Sequence, residues 1–102
     1  MSLEKLPAKL YNVICGVDNM NKRKFLSKLK NNQKNVRFGD FIVLIEAFGF
    51  EQIRVKGSHQ IYERPDVFDM VNVQNDGGQA KPYQIRQFLN LIKKYNLRLE
   101  GE

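Results

Sequence analysis

The sequence predicts one α+β domain in which helices cover a single face of a three-stranded antiparallel sheet. The chain has 102 residues, of which 42% are hydrophobic and 27% are charged, a composition typical of one globular domain with its own core. Two stretches with a helical period precede three short alternating stretches, and another helical stretch follows them. Connections this short favour an antiparallel meander with the helices gathered on one side.

The first residues differ from the rest of the chain. Residues 1–19 have no regular period, so we interpret them as a loosely ordered N-terminal extension ahead of a domain over residues 20–102. The apolar run at residues 10–17 is shorter than the roughly 20 residues that span a bilayer, and no cleavage site follows it. We therefore expect neither a membrane nor a secreted location. The one cysteine, Cys15, rules out an internal disulfide and favours a reducing compartment.

Two helices are predicted after this extension. Phe25 and Leu29 lie one turn apart within residues 21–30, among lysines and arginines, which predicts a basic helix with one apolar side. A second helix is predicted over residues 38–48, where the apolar residues cover more than one stripe and indicate deep burial. Gly49 supplies the left-handed residue that ends it.

Three strands follow, and alternation assigns their faces. The strands are predicted at residues 51–56, 59–63 and 68–74, with tight connections at Gly57-Ser58 and Pro65-Asp66. Ile53, Val55, Val71 and Val73 are expected to point toward the helices. The opposite face is then polar and net positive, and we expect it to carry Gln52, Arg54, Lys56, Gln60, Tyr62, Arg64, Asn72 and Gln74.

The last part of the chain predicts a turn and then a helix. Asn75-Asp76-Gly77-Gly78 is a strong turn signal, and Pro82 is a residue favoured in the first turn of a helix. Apolar residues then recur at helical spacing, at Ile85, Phe88, Leu89, Ile92 and Tyr95.

The charge distribution is uneven. Lysine and arginine exceed aspartate and glutamate by 17 to 11, which gives a net charge of +6. Residues 19–39 hold seven cations and no acid: Lys22, Arg23, Lys24, Lys28, Lys30, Lys34 and Arg37. Such a run fits a solvated helix face, a footprint for a polyanion such as RNA, or a surface for an acidic protein.

His59 is the only histidine and the first candidate for a catalytic residue. Histidine is the side chain best suited to take up and release a proton near neutral pH. Alternation puts His59 on the side of Ile61 rather than of Gln60, so we expect it at the strand edge near the start of the last helix. The alternative is a structural histidine that caps a turn.

The other polar and aromatic side chains give weaker indications of a catalytic or binding role. No triad order makes Ser58 a nucleophile, and a hydroxyl beside a glycine turn more often bonds the backbone. Tyr62 and Tyr83 fit either base stacking or half-buried packing at the sheet edge. With one cysteine, one histidine and dispersed acids, we expect no metal site and no cofactor.

Several short motifs, taken together, resemble a known family. Phe48-Gly49-Phe50 closes a helix, Gly57-Ser58-His59-Gln60-Ile61-Tyr62 leads to Pro65-Asp66, and Gly77-Gly78 with Lys81-Pro82 opens a helix that contains residues 85–89. In this order and spacing, over residues 20–97, they resemble the HicA-type (YcfA-like) family of mRNA interferase toxins.

The resemblance implies a fold like the double-stranded-RNA-binding domain, α-β-β-β-α, to which this chain adds an N-terminal basic helix. It further implies a cytoplasmic endoribonuclease toxin that cleaves messenger RNA, needs His59 for activity, and is neutralised by a HicB-type antitoxin. Many members carry a second histidine where this chain has Asn75-Asp76. A two-histidine acid–base pair is therefore not expected here.

The residues around His59 suggest how a metal-free nuclease works. RNA carries its own nucleophile, so the protein needs a base, positive charge and correct placement. We expect His59 as the general base, and substrate binding by Lys56, Gly57, Ser58, Gly77, Gly78, Lys81 and Arg86, with the amides at the start of the last helix as an anion site. The alternatives are a non-catalytic RNA-binding module of the same fold and a basic protein-interaction module.

Overall fold

The computed structural model describes residues 19–100 and contains three helices and four strands. In chain order these are α1 (Asn19–Asn31), α2 (Phe38–Ala47), β1 (Glu51–Lys56), β2 (His59–Arg64), β3 (Val67–Asp76), β4 (Gln79–Ala80) and α3 (Pro82–Tyr95). The predicted N-terminal extension lies outside the described residues, except for Asn19, which already belongs to α1. The predicted α-β-β-β-α order with a basic helix in front is confirmed.

The strands form one antiparallel sheet in the order β1-β2-β3-β4. The predicted three-strand meander is confirmed, and the two-residue β4 adds to it by pairing with the end of β3. Gly77 and Gly78 connect β3 to β4 with φ of 58° and 90°, a backbone region that favours glycine. β4 also bonds the segment before α2, because the Ala80 amide donates to the Val36 carbonyl at 2.8 Å.

The core lies between the helices and one face of the sheet. At its centre Phe88 of α3 makes edge-to-face contacts with three other phenylalanines, at ring-centroid distances of 5.7, 5.7 and 5.8 Å: Phe41, Phe48 and Phe50. Buried residues of all three helices pack with Tyr62, Val71 and Val73 of the sheet. The helices therefore cover one face, as predicted, and leave the other open.

Strand pairing corrects which residues occupy the open face. Gln60 pairs with Val73 and Tyr62 with Val71, so both lie on the covered face, and Tyr62 is only 2% exposed. The prediction that Gln60 and Tyr62 lie on the open face was wrong, and so was the same prediction for Gln52, which pairs with Tyr62, and for Arg64, which pairs with Val67 and donates to the Phe48 carbonyl. Because successive residues of a strand alternate, His59 shares the open face with Ile61.

Val55 pairs with Gln60 and so lies on the helix side as expected, but neither Val55 nor Ile53 is buried there. Ile53 is 43% and Val55 56% exposed, and every residue of β1 is exposed. β1 is the edge strand of the sheet, and a register shift between Gln52 and Arg54 disturbs its alternation. An edge strand beyond the helix layer keeps its apolar side chains in solvent.

Candidate active site

The hairpin between β1 and β2 positions His59. Its connection consists of Gly57 and Ser58, and Gly57 has φ of 61°, a conformation that glycine adopts without strain. Lys56 and His59 are direct partners on either side of this turn. Directly opposed residues of an antiparallel pair have Cβ atoms about 4.5–5.5 Å apart, so the Lys56 side chain lies beside the imidazole on the same face.

A hydrogen bond fixes the imidazole on the open face. His59 Nδ1 and Asn72 Oδ1 of the neighbouring β3 are 3.0 Å apart, so Nδ1–H donates to the amide oxygen. The other ring nitrogen, Nε2, has no partner among residues 19–100. His59 is half-buried rather than enclosed. His59 is the first residue of β2, which agrees with the predicted position at the end of the strand, but the expectation that it lies off the open face was wrong.

A chain of glutamine contacts connects this end of the sheet to α3. Gln84, in the first turn of α3, is only 5% exposed, and its Oε1 accepts the Gln74 backbone N–H at 2.9 Å. The Gln74 side chain donates from Nε2 to Ser58 Oγ at 2.8 Å. Gln74 is also the direct strand partner of His59. The start of α3 is thus bonded directly to Gln74, and through Gln74 to Ser58, which precedes His59.

Gly77 and Gly78, expected to bind substrate, serve the structure of the turn. The Gly78 amide donates to Asn75 Oδ1 at 2.7 Å, and the Gly78 carbonyl accepts the Phe38 N–H at the start of α2, at 2.9 Å. Both polar backbone groups of Gly78 are therefore occupied. They hold the turn closed and tie it to α2.

The start of α3 is less open to anions than expected. The amides of Gln84 and Ile85 both donate to the Lys81 carbonyl, at 3.0 and 3.1 Å, and Pro82 has no amide hydrogen. Lys81 Nζ lies 6.0 Å from the centre of the Tyr83 ring, and Tyr83 is 48% exposed. This helix end offers a cation and an exposed ring rather than a row of free amides.

Comparison with known proteins identifies the family. A family model described as HicA toxin of bacterial toxin-antitoxin matches residues 38–94, which is more than half of the chain. The chain belongs to the HicA toxin family. No curated protein and no solved structure gives a significant match. Family membership makes the chain a toxin of a toxin–antitoxin system, from a family known for ribonuclease activity, and implies an antitoxin partner.

The HicA match covers α2, all four strands and almost all of α3. His59, Asn72, Gln74 and Gln84 lie within it. The basic α1 lies outside it, so the run of cations is an addition to the matched region rather than part of it. Among the described residues, no helix is long and apolar enough to cross a bilayer, and no three acidic, histidine or cysteine side chains are grouped to hold a metal ion.

Arg86, an expected substrate-binding residue, is not brought to His59, and of the two roles considered for Tyr62 the structure favours packing. Arg86 lines a groove between α1 and α3, on the helix side of the sheet. Tyr62 is buried, and its hydroxyl donates to Gln60 Oε1 at 2.9 Å. Burial raises the pKa of Tyr62, and the negative charge of Glu46 raises it further, so the phenol stays protonated at neutral pH. Tyr62 is a core residue and cannot stack on a base.

Sequence reasoning missed the partners of the HicA histidine. Asn72 and Gln74 were placed on the open face but given no role, and Gln84 was not singled out. Ser58 bonds a side chain rather than the backbone. The alternation of β3 was a usable signal, since it puts Asn72 and Gln74 on one face. Which of them reaches the imidazole depends on the strand register.

The open face beside His59 also carries apolar side chains. Phe68 is 93% exposed and Met70 56% exposed, and both alternate along β3 with the buried Val67 and Val71. Asn72 continues the same row toward His59. An exposed apolar row next to a candidate catalytic residue is a feature of interaction surfaces.

Proposed function

We propose that this toxin is a metal-independent endoribonuclease that cleaves messenger RNA in the cytoplasm, with His59 as the general base. The observation that carries the proposal is the His59 environment. Asn72 Oδ1 accepts a hydrogen bond from Nδ1–H, Nε2 has no partner among residues 19–100, and Lys56 lies beside the ring. A neutral imidazole held in this tautomer presents a lone pair at Nε2 to a substrate on the open face.

The reaction uses the nucleophile that RNA carries. His59 Nε2 takes the proton of a 2′-hydroxyl, and the oxygen attacks the adjacent phosphorus. The bond from phosphorus to the 5′-oxygen breaks, leaving a 2′,3′-cyclic phosphate and a 5′-hydroxyl. With no second histidine in the chain, the leaving oxygen takes its proton from water, and the imidazolium returns its proton to solvent.

Charge stabilisation comes from the residues that adjoin His59. The Lys56 ammonium is the nearest cation by strand pairing, and a phosphate between it and the imidazole meets positive charge and the base together. Ser58 Oγ accepts from Gln74, which leaves its own hydroxyl hydrogen to donate to a phosphoryl oxygen. Lys81 and the exposed Tyr83 extend this end of the molecule toward flanking nucleotides.

The test separates cleavage from binding. Purified wild type and His59→Ala are compared on a radiolabelled messenger RNA fragment in EDTA, with RNA affinity measured in parallel. Loss of the base is expected to slow cleavage by about 10²- to 10⁴-fold, with RNA affinity changed less than about threefold. Glu63→Ala, an exposed change on the same strand, is the control and should cleave like wild type.

Other outcomes assign other functions. RNA binding with no cleavage by either protein points to a non-catalytic RNA-binding module. Weak RNA affinity that does not depend on salt, together with tight binding to the product of a neighbouring gene, points to a basic protein-interaction module. Undiminished cleavage by His59→Ala removes the histidine from the mechanism.

We further propose that a HicB-type antitoxin docks on the open sheet face. The row formed by Phe68 and Met70 supplies the apolar centre that a stable interface needs, and it runs into Asn72 and His59. An interface of standard size, about 800 Å² per partner, that is centred on this row also covers the imidazole. Neutralisation then follows from occlusion of the base.

A further inference from the structure

A groove between α1 and α3 lies on the helix side of the sheet, away from the His59 face. Its volume is about 650 Å³, and its walls include Lys30 of α1 and Arg86, Leu89 and Lys93 of α3. A second depression of about 250 Å³ shares Lys30 and Leu97 with it and continues toward Arg98. The two depressions therefore adjoin each other beside α1.

The groove combines an apolar floor with a cationic rim. Leu89, Ile92 and Leu97 supply the apolar surface. Lys30, Arg86, Lys93 and Arg98 supply the charge, and no carboxylate lines either depression among the described residues. Ion pairs join Arg64 with Asp66 and Lys94 with Asp69, and none of these four residues lines the groove. The four rim cations therefore have no carboxylate partner in the described part of the chain.

This chemistry favours one class of occupant. A nucleic acid backbone offers phosphates to the rim but nothing apolar for the leucine and isoleucine floor. A second copy of the chain is itself cationic, with a net charge of +6, so two such surfaces repel each other. An amphipathic protein helix with leucines on one side and carboxylates flanking them matches both floor and rim.

We propose that the α1–α3 groove binds an acidic amphipathic segment of a partner protein. Because α1 and α3 lie on the covered side of the sheet, a partner seated there leaves the His59 face exposed. The groove would then hold a protein without blocking the candidate active site, which distinguishes it from the antitoxin surface proposed above.

The experiment follows amide signals of the ¹⁵N-labelled full chain by NMR during titration with designed peptides. The first peptide is a 16-residue helix with leucines at i, i+3, i+4 and i+7 and glutamates beside them. The second keeps the leucines and replaces every glutamate with lysine, and the third keeps the composition of the first in a scrambled order. We expect saturable shifts at Lys30, Arg86, Lys93 and Leu97 with the first peptide only.

Charge-matched variants make the result specific. Lys30→Glu with Lys93→Glu should weaken the affinity for the acidic peptide by at least about tenfold. Lys24→Glu with Lys28→Glu changes net charge equally, at exposed α1 positions outside both depressions, and should weaken it less than about threefold. The spectra of all variants report whether they are folded.

Four results would overturn the proposal. The first is the absence of saturable shifts in the groove with the acidic peptide. The second is equal binding of the lysine or scrambled peptide. The third is stronger binding of a 12-base-pair RNA duplex at the same residues, which assigns the groove to nucleic acid. Shifts of these signals with protein concentration alone would likewise overturn it, because they assign the groove to a second copy of the chain. None of these results bears on cleavage by His59, so this proposal and the nuclease proposal fail separately.

Discussion

His59 Nδ1 lies 3.0 Å from Asn72 Oδ1, although the two residues are not direct partners in the sheet. Asn72 pairs with Ile61, and the contact to His59 runs diagonally across β2 and β3. The Asn72 amide therefore determines which ring nitrogen keeps its proton. This makes Asn72 a positioning residue for the proposed base.

The first prediction concerns this contact. Asn72→Ala removes a hydrogen bond worth about 1–1.5 kcal/mol, so cleavage should slow by about tenfold, with RNA affinity unchanged. Asn72→Asp restores an acceptor, and its negative charge stabilises the imidazolium. We expect it to recover most of the rate and to move the acidic limb of the pH–rate profile toward higher pH. Equal loss in both variants, with no change in the profile, would assign Asn72 a purely structural role.

The buried Gln84 should matter for stability. Its Oε1 accepts the Gln74 N–H, and Gln84→Ala leaves that backbone group without its partner. We expect a loss of about 1–3 kcal/mol in the free energy of unfolding, measured by urea denaturation. Gln87→Ala, at an exposed position of the same helix, is the matched control and should stay within about 0.5 kcal/mol of wild type.

The exposed Phe68 should matter for antitoxin binding and not for folding. Phe68→Ser removes an apolar side chain from solvent, so thermal stability should not fall. Affinity for the antitoxin partner should drop at least about tenfold, measured by calorimetry. Val43→Ser, at a half-exposed position on α2 away from the open face, provides the comparison. Loss of affinity only in the Val43 variant would move the interface to the helix side.

The pair of Asp69 and Lys94 predicts a pH dependence of stability. Lys94 Nζ donates to Asp69 Oδ2 at 3.0 Å, and this hydrogen bond is the main cause of a lowered pKa of Asp69. A carboxyl whose folded-state pKa is lowered stabilises the fold above its unfolded-state pKa, and this contribution is lost as pH falls through the lowered value.

Asp69→Asn should therefore be less stable than wild type at pH 7, and the difference should close in acid. Urea denaturation across the acid range measures it. Asp76→Asn, on the same strand, is the control, because the Asp76 carboxylate has no hydrogen bond or ion pair within residues 19–100. A difference in the free energy of unfolding that persists at the lowest pH would show that packing, and not the charge of Asp69, causes the loss of stability.

Local signals were sufficient for the elements of this fold. Gly49 ends α2 with φ of 91°, Gly57 turns β1 into β2, and Pro82 begins α3, each as the sequence predicts. These features depend on backbone conformations that single residues favour, so they can be read without the tertiary structure. The addition of β4 follows from the same turn signal at Gly77-Gly78.

The strand partners, and the faces of β1, could not be predicted as reliably, because they depend on irregularities that leave little trace in sequence. Arg64 pairs with Val67, and regular pairing from there would set His59 opposite Asn72. A register shift between Tyr62 and Arg64 sets it opposite Gln74 instead. The sequence was therefore sufficient to single out His59 and the residues near it, but not to predict which of their side chains are in contact.

The most direct measurement of the central claim is the chemistry of the RNA ends. Purified wild-type protein cleaves a defined RNA in EDTA, and the products are analysed by mass spectrometry, with His59→Ala treated identically. We expect 2′,3′-cyclic phosphates and 5′-hydroxyls from the wild type and almost no product from the variant. Products with 3′-hydroxyls and 5′-phosphates, or equal cleavage by the variant, would contradict a mechanism in which His59 activates the 2′-hydroxyl.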